Sequence, residues 1–408
     1  MNQRELHGGW WPSYVAHHGP TNGGRHRHRG HYHYRRDQLL VDVADLERVT
    51  MRLRALGVDC RVEERVEDLG IALLDLGQSH IQVPDLVDGL DVAWEEAPPL
   101  VGPNHVLGPC THVQLSAATP LPTDVPLPPI PSPDPAGTGA TVVILDSGFD
   151  PANEWLRGRV EGDPEKPILD DRGRMIRNCG HGTFVAGQIL RYAPSARVIA
   201  RRVFDSNGVV EEWELAKAIN GIEGADVVNL SLGSFARRDS GMLAVDRAQQ
   251  RLLYRHPNLV LVAAAGNEGV TRPTFPAADK CVIAVGSVER NPSSGRWQRA
   301  SYSNHGWWVD ACAPGSDVVS TFFHYRGPVV PFDQDSGAEE CGANASPGEV
   351  FEYDGRARWS GTSFAAPVVA AQIANWIGDG YSAQEAVAGI LDAPERTRLH
   401  DLGTLVLP

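Results

Sequence analysis

The sequence predicts an α/β protein: a three-layer domain built on a mainly parallel sheet, preceded by a small ferredoxin-like α+β domain. Three observations carry this. Beyond residue 141, unbroken apolar runs alternate with helical patterns, as in parallel strands covered on both faces. Across 37–97 the order reads βαββαβ, the split pattern of ferredoxin-like units. The region between them, 98–140, includes a stretch at 118–139 with eight prolines, which predicts an extended, semi-rigid linker.

In the small domain, "QLLVDV" predicts a strand and "ADLERVTMRLRALG" an amphipathic helix ended by Gly57. "VDCRVEER" and "DLGIALLDL" predict two paired strands, "VPDLVDGL" a short helix and "DVAWEEA" the last strand. In the large domain, 141–408, "ATVVILDS" predicts the first strand and "GTFVAGQILRYA" a helix. "ARVIARRVFD" (strand), "VEEWELAKAINGIE" (helix), "ADVVNLSLGS" (strand) and "GMLAVDRAQQRLLYRH" (helix) follow, then the strands "NLVLVAAAGNEG" and "KCVIAVGSVE". Residues 322–357 form a long insertion, read either as a lid or substrate-selecting element or as a surface loop.

The net charge of −14 argues against general binding of nucleic acid or anionic membranes. Residues 1–36 run against that balance, with six Arg, one Glu and seven of the 15 histidines. They predict a disordered His/Arg-rich tail, either solvated or binding a metal or polyanion. No apolar run approaches the roughly 18 residues of a membrane helix, and the first residues lack a signal-peptide core. The expectation is a cytoplasmic protein. Six cysteines without CxxC spacing predict reduced thiols, and Cys179 reads as a buried, inert one. No loop has regular carboxylate spacing, so a structural calcium is left open without support from the sequence, and the expectation is that no cofactor is required.

Chemistry is suggested by three stretches. "VVILDSGFD" puts Asp146 at the carboxyl end of a strand, where α/β sheets gather function. "NCGHGTFVAG" puts His181 at a helix start, and "SGTSFAAP" does the same for Ser363. Alone, Ser363 reads equally as a helix N-cap, with Pro367 in the first turn. As a nucleophile it needs a base and an orienting acid, which Asp146 and His181 would supply.

Residues 141 to about 380 resemble the subtilisin-like serine proteases (subtilases). The resemblance rests on those blocks, in the order Asp, His, Ser, and on "NLSLGS", "AAAGNEG" and "VDACAPGSDVVST". It implies a subtilisin-like fold and a serine endopeptidase acting on protein or peptide substrates. Asp146, His181 and Ser363 would be catalytic, and Asn267 with the Ser363 backbone N–H would form the oxyanion hole. Ser231, Leu232 and Gly233 would bind substrate as an added strand, and Ala263, Ala264, Ala265 and Gly266 would wall the first specificity pocket, with Glu268 near its far end. The unit at 37–97 looks like a subtilase prodomain, so residues 38–110 could inhibit the active site intramolecularly. Two other readings stand beside this one: a dedicated processing protease for one partner or precursor peptide, and a catalytically idle subtilase fold used for binding.

Overall fold

The structure, a computed structural model, describes residues 14–17, 32–77, 82–94, 96–109, 120–129, 132, 139–176, 178–329, 350–393 and 396–408. In chain order the first elements are β1 (Tyr14–His17), β2 (Tyr32–Asp42), α1 (Leu46–Ala55), β3 (Arg61–Val66), β4 (Ile71–Asp75), α2 (Val83–Ala93) and β5 (Val101–Leu107). Then come β6 (Thr141–Asp146), β7 (Val160–Gly162), α3 (His181–Tyr192), β8 (Arg197–Arg202), β9 (Val210–Glu211), α4 (Glu212–Asn220), β10 (Val227–Leu230) and α5 (Leu243–Arg255). The remainder comprises β11 (Val260–Ala264), β12 (Val282–Arg290), β13 (Trp297–Arg299), β14 (Ala311–Pro314), β15 (Val318–Pro328), β16 (Val350–Trp359), α6 (Thr362–Gly378), α7 (Ala383–Leu391), β17 (Arg398–Leu399) and β18 (Gly403–Leu405). The chain divides into two compact units. One joins residues 1–107 with 210–222 and 234–255; the other holds 108–209, 223–233 and 256–408.

In the first unit, β3-β4-β2-β5 form an antiparallel sheet extended by β9, with β1 paired to β2. This is the ferredoxin-like order, with two boundaries corrected. "DVA" ends helix α2, so the last strand is β5, a stretch expected to be linker. Residues 14–17 and 32–36, expected in the disordered tail, are strand. In β2 the aromatic period of two explains this: Tyr32 and Tyr34 are buried, with intermediate or exposed neighbours between and after them. Helices α4 and α5 belong to this unit. Trp213 in α4 is 1% exposed and donates its indole N–H to Glu64 Oε2 at 2.6 Å, and Arg247 in α5 pairs with Asp42 at 2.7 Å.

The second unit is built on a ten-stranded sheet in the order β17-β18-β14-β12-β11-β10-β6-β8-β7, with β13 on β12. From β14 through β7 every pairing along this path is parallel. Its inner strands β6, β10 and β11 are mostly apolar and almost wholly buried, as burial of both faces requires. Helix α6, of small apolar residues, is buried along most of its length and packs with α3 into the core. The insertion is not a loop at its base. Its arms are β15 and β16, an antiparallel pair; residues 330–349, between them, lie outside the described residues. Leu121 of the proline-rich stretch bonds Arg358 in β16. No helix among the described residues is long and apolar enough to cross a membrane.

Candidate active site

Asp146 closes β6, an inner strand between β10 and β8, and is fully buried. Its carboxylate accepts the Ser147 N–H at 2.7 Å and faces His181 Nδ1, with both oxygens at 2.9 Å. His181 is the first residue of α3. Gly180 before it has φ +79°, and a Cβ there would stand 2.4 Å from the Phe322 ring, so only glycine fits. The imidazole is wedged against Trp359 and Phe364, with centroids 5.6 and 5.4 Å away. This leaves Nε2 buried without a hydrogen-bond partner.

Ser363 is the second residue of α6. Its Oγ donates to the carbonyl of Ser231 at 3.0 Å, and Ser231 Oγ donates back to the carbonyl of Ser363 at 2.8 Å. Pro367 lies beyond the first turn, against expectation, and its position has a consequence. The N–H it lacks would have bonded the Ser363 carbonyl, and the Ser231 hydroxyl takes that place. Asn229 Nδ2 in turn donates to Ser231 Oγ at 2.9 Å.

Asn267 is held from the same helix start. Its Oδ1 accepts the Thr362 N–H at 2.9 Å and the Thr362 hydroxyl at 3.0 Å, and Thr362 Oγ1 accepts the Gly266 N–H. The amide orientation is thereby fixed, and Nδ2 is left buried and unpartnered. Gly266 has φ +99°, and a Cβ there would lie 2.8 Å from Glu268 Oε2. The Glu268 carboxylate therefore sits beside Gly266 at the end of the buried Ala263–Ala264–Ala265 run. Leu232 is buried, and Gly233 exchanges two backbone hydrogen bonds with Gly108, at 2.9 and 3.3 Å.

Several residues with no sequence signature complete the arrangement. Asn304 accepts the N–H groups of Glu268 and Val270 and donates to Ala265 O, Thr274 Oγ1 and Glu268 Oε2. Glu165, 1% exposed, accepts from Ser147 Oγ and Gly180 N. Burial, reinforced by the Asp146 charge and opposed by those two hydrogen bonds, pushes its carboxyl up to about 8. Cys179 is buried, and burial pushes its thiol far above the ordinary range, the mark of an unreactive sulfur. Among the described residues no group of three or more His, Cys, Asp or Glu is placed to hold a metal ion.

The profile of the subtilase family matches residues 137–385. A thermophilic serine proteinase of Bacillus sp. (strain AK1) is 36% identical over 196 residues, 45% of this chain and 46% of its own length. Thermitase of Thermoactinomyces vulgaris is 33% identical over 198 residues, 46% of this chain and 66% of its own. The match thus spans about half to two thirds of these relatives. In fold, the chain resembles fervidolysin from Fervidobacterium pennivorans, described as a keratinolytic enzyme related to subtilisin. That likeness has a TM-score of 0.59 at 18% identity and covers 92% of this chain and 60% of that one. With more than half of its length matched by the profile, the chain belongs to the subtilase family.

Proposed function

We propose that the protein is a serine endopeptidase that hydrolyses peptide bonds through Asp146, His181 and Ser363. The observation that supports this most directly is a pair of buried nitrogens, His181 Nε2 and Asn267 Nδ2, that lack partners. Both flank Ser363, since the imidazole packs on Phe364 and the amide bonds Thr362. Buried polar groups are normally paired, and these two are what a reacting serine and a developing oxyanion would use.

In this reading Ser363 Oγ turns from the Ser231 carbonyl and attacks the scissile carbonyl, while His181 Nε2 takes its proton. Asp146 fixes the tautomer and stabilises the imidazolium. Asn267 Nδ2 and the Ser363 N–H bind the oxyanion, a state met only along the reaction path. The proton passes to the leaving amine, and water then hydrolyses the acyl-enzyme. Substrate lies along Ser231, Leu232 and Gly233 as an added strand. The small walls from Ala263 to Gly266 favour a large apolar side chain at the cleaved position, and Glu268 beside Gly266 favours a Lys or Arg over Asp or Glu. Residues 38–110 restrain the site, because Gly108 already pairs with Gly233 on that edge.

The test is labelling by a fluorophosphonate, with hydrolysis of a peptide library. Labelling of the wild type at Ser363, lost together with hydrolysis in Ser363→Ala, is the expected result. Undiminished cleavage by Ser363→Ala overturns the mechanism. A folded full chain that is neither labelled nor active favours the idle fold.

A further inference from the structure

We infer that Glu165 is a positioning residue for catalysis, a second buried acid that sets the geometry of the Asp146–His181 pair from behind. This rests on the proposed endopeptidase reading. The carboxyl group reaches both catalytic segments at once. Oε1 accepts the N–H of Gly180, the residue before His181, at 2.8 Å. Oε2 accepts the hydroxyl of Ser147, the residue after Asp146, at 2.9 Å. Ser147 Oγ in turn accepts the N–H of Gly182, the residue after His181, at 2.9 Å. Two of the N–H groups that a helix start leaves without intrahelical partners are thus held, directly or through one hydroxyl, by a single side chain.

The surrounding backbone leaves this arrangement little freedom. Residues 163–165 lie against 148–149, with Phe149 N bonded to Asp163 O and Glu165 N to Phe149 O. A Cβ on Gly182 would come within 2.1 Å of Gly148 O. Displacing the Glu165 carboxyl therefore moves the Asp146 loop or the start of α3, and the 2.9 Å contacts between Asp146 and His181 with them. Catalytic geometry is sensitive to shifts of this size. None of the motifs in the sequence singles this position out.

The titratable groups facing Glu165 are few. Asp146 lies on the loop it bonds, Cys179 stands at the start of α3, and Arg202 is at the end of β8. Asp205 joins Glu165, Cys179 and Arg202, with Ser147 and Asn178, around a cavity of about 10 Å³, and Asp163 and Lys166 flank Glu165 on its own segment. Since burial holds the carboxyl protonated up to about pH 8, it ionises within the working range of a serine–histidine site. The new negative charge then adds to that of Asp146, with which Glu165 interacts, and favours an imidazolium at His181.

The experiment compares wild type with Glu165→Gln and Ser147→Ala. Folded, titratable sites are counted with a fluorophosphonate, and kcat and KM are measured for a peptide ester from pH 6 to 10. An ionised carboxylate offers two acceptor oxygens where an amide offers one, so above pH 8 the variant leaves one of the two donors without its partner. The expected result for Glu165→Gln is a full count of reactive serines, KM within about twofold, and kcat close to wild type at pH 6 but lowered roughly ten- to a hundredfold above pH 8. The ratio of wild-type to variant kcat should change with a midpoint near pH 8. Ser147→Ala should lower kcat in the same way but less. A kcat per titrated site equal to wild type, or a pH-independent ratio, overturns the inference. If Glu165→Gln does not fold, Ser147→Ala decides: an unchanged kcat overturns it. Activity retained in Ser363→Ala would instead sink the underlying mechanism, so the two failures are distinct.

Discussion

Ser231 and Ser363 exchange hydrogen bonds, each hydroxyl donating to the other's carbonyl, at 2.8 and 3.0 Å. The exchange exists because Pro367 cannot donate to the Ser363 carbonyl. Ser231→Ala therefore leaves a buried carbonyl without a donor. The expected cost is about 1–3 kcal/mol of stability, with a drop in kcat as the start of α6 loosens. Pro367→Ala returns a helical N–H to the same carbonyl, so the double variant should recover much of the loss. Urea unfolding of the four proteins in this cycle checks it, and a double variant no more stable than Ser231→Ala contradicts the account.

Asn267→Ala removes a side chain whose Oδ1 is held by Thr362 and whose Nδ2 is unpartnered. If Nδ2 serves the oxyanion, kcat should fall by about 10²–10³, a magnitude drawn from the subtilisin asparagine, with KM little changed. Thr362→Val keeps the backbone N–H bond but loses the hydroxyl bond that fixes the amide, and should give a smaller fall of the same kind. Steady-state kinetics on one peptide substrate decides. A change confined to KM would place Asn267 in substrate binding instead.

Glu165 also makes a prediction about stability. Its folded value near 8 lies above the ordinary carboxyl value of 4.5. The folded protein then holds a proton that the unfolded chain releases, so this group's contribution is largest below pH 4.5. It is lost as pH rises toward 8. Wild type should lose unfolding free energy relative to Glu165→Gln at up to about 1.4 kcal/mol per pH unit across that window, and the difference should level off above it. Denaturant unfolding of both proteins at pH 5, 6.5 and 8.5 measures this. A difference that does not vary with pH would mean that the carboxyl ionises normally.

Much of this was legible in the sequence, and what was missed has physical causes. Asp146, His181 and Ser363 stand in local motifs, each at a strand end or helix start that periodicity alone locates. β5 was missed because Gly102 and Pro103 disfavour strands, yet pairing to β2 and β9 overrides that preference. The arm β16 carries a clean alternation, with Phe351, Tyr353, Gly355, Ala357 and Trp359 buried between exposed or intermediate neighbours. Counting that period would have predicted a strand in the insertion. Glu165 and Asn304 carry no signal at all. Their roles come from contacts to residues 15 to 39 positions away, which a window of sequence cannot contain.

The last prediction concerns the first unit. Its β-rich part precedes the family-matched segment, yet α4 and α5, at 212–220 and 243–255, lie inside that segment and complete the same unit. Glu64 receives both the Trp213 indole and the Lys217 ammonium, the latter at 2.8 Å. His105, in β5, meets Glu212 in a buried contact at 2.5 Å and accepts the Arg237 N–H. Arg237 and Arg238 pair with Asp88 and Asp91 of α2. A chain limited to 118–408 should therefore present the apolar faces of α4 and α5 to water and lose the partner of the Trp213 N–H. The expected outcome is failure to fold alone, or a sticky protein that binds a hydrophobic dye and quenches on addition of residues 1–117. Because Gly108 pairs with Gly233, the added fragment should also inhibit peptide hydrolysis with slow dissociation, and Arg237→Ala should speed that dissociation. A well-folded 118–408 chain whose activity ignores the fragment would separate the first unit from both folding and restraint.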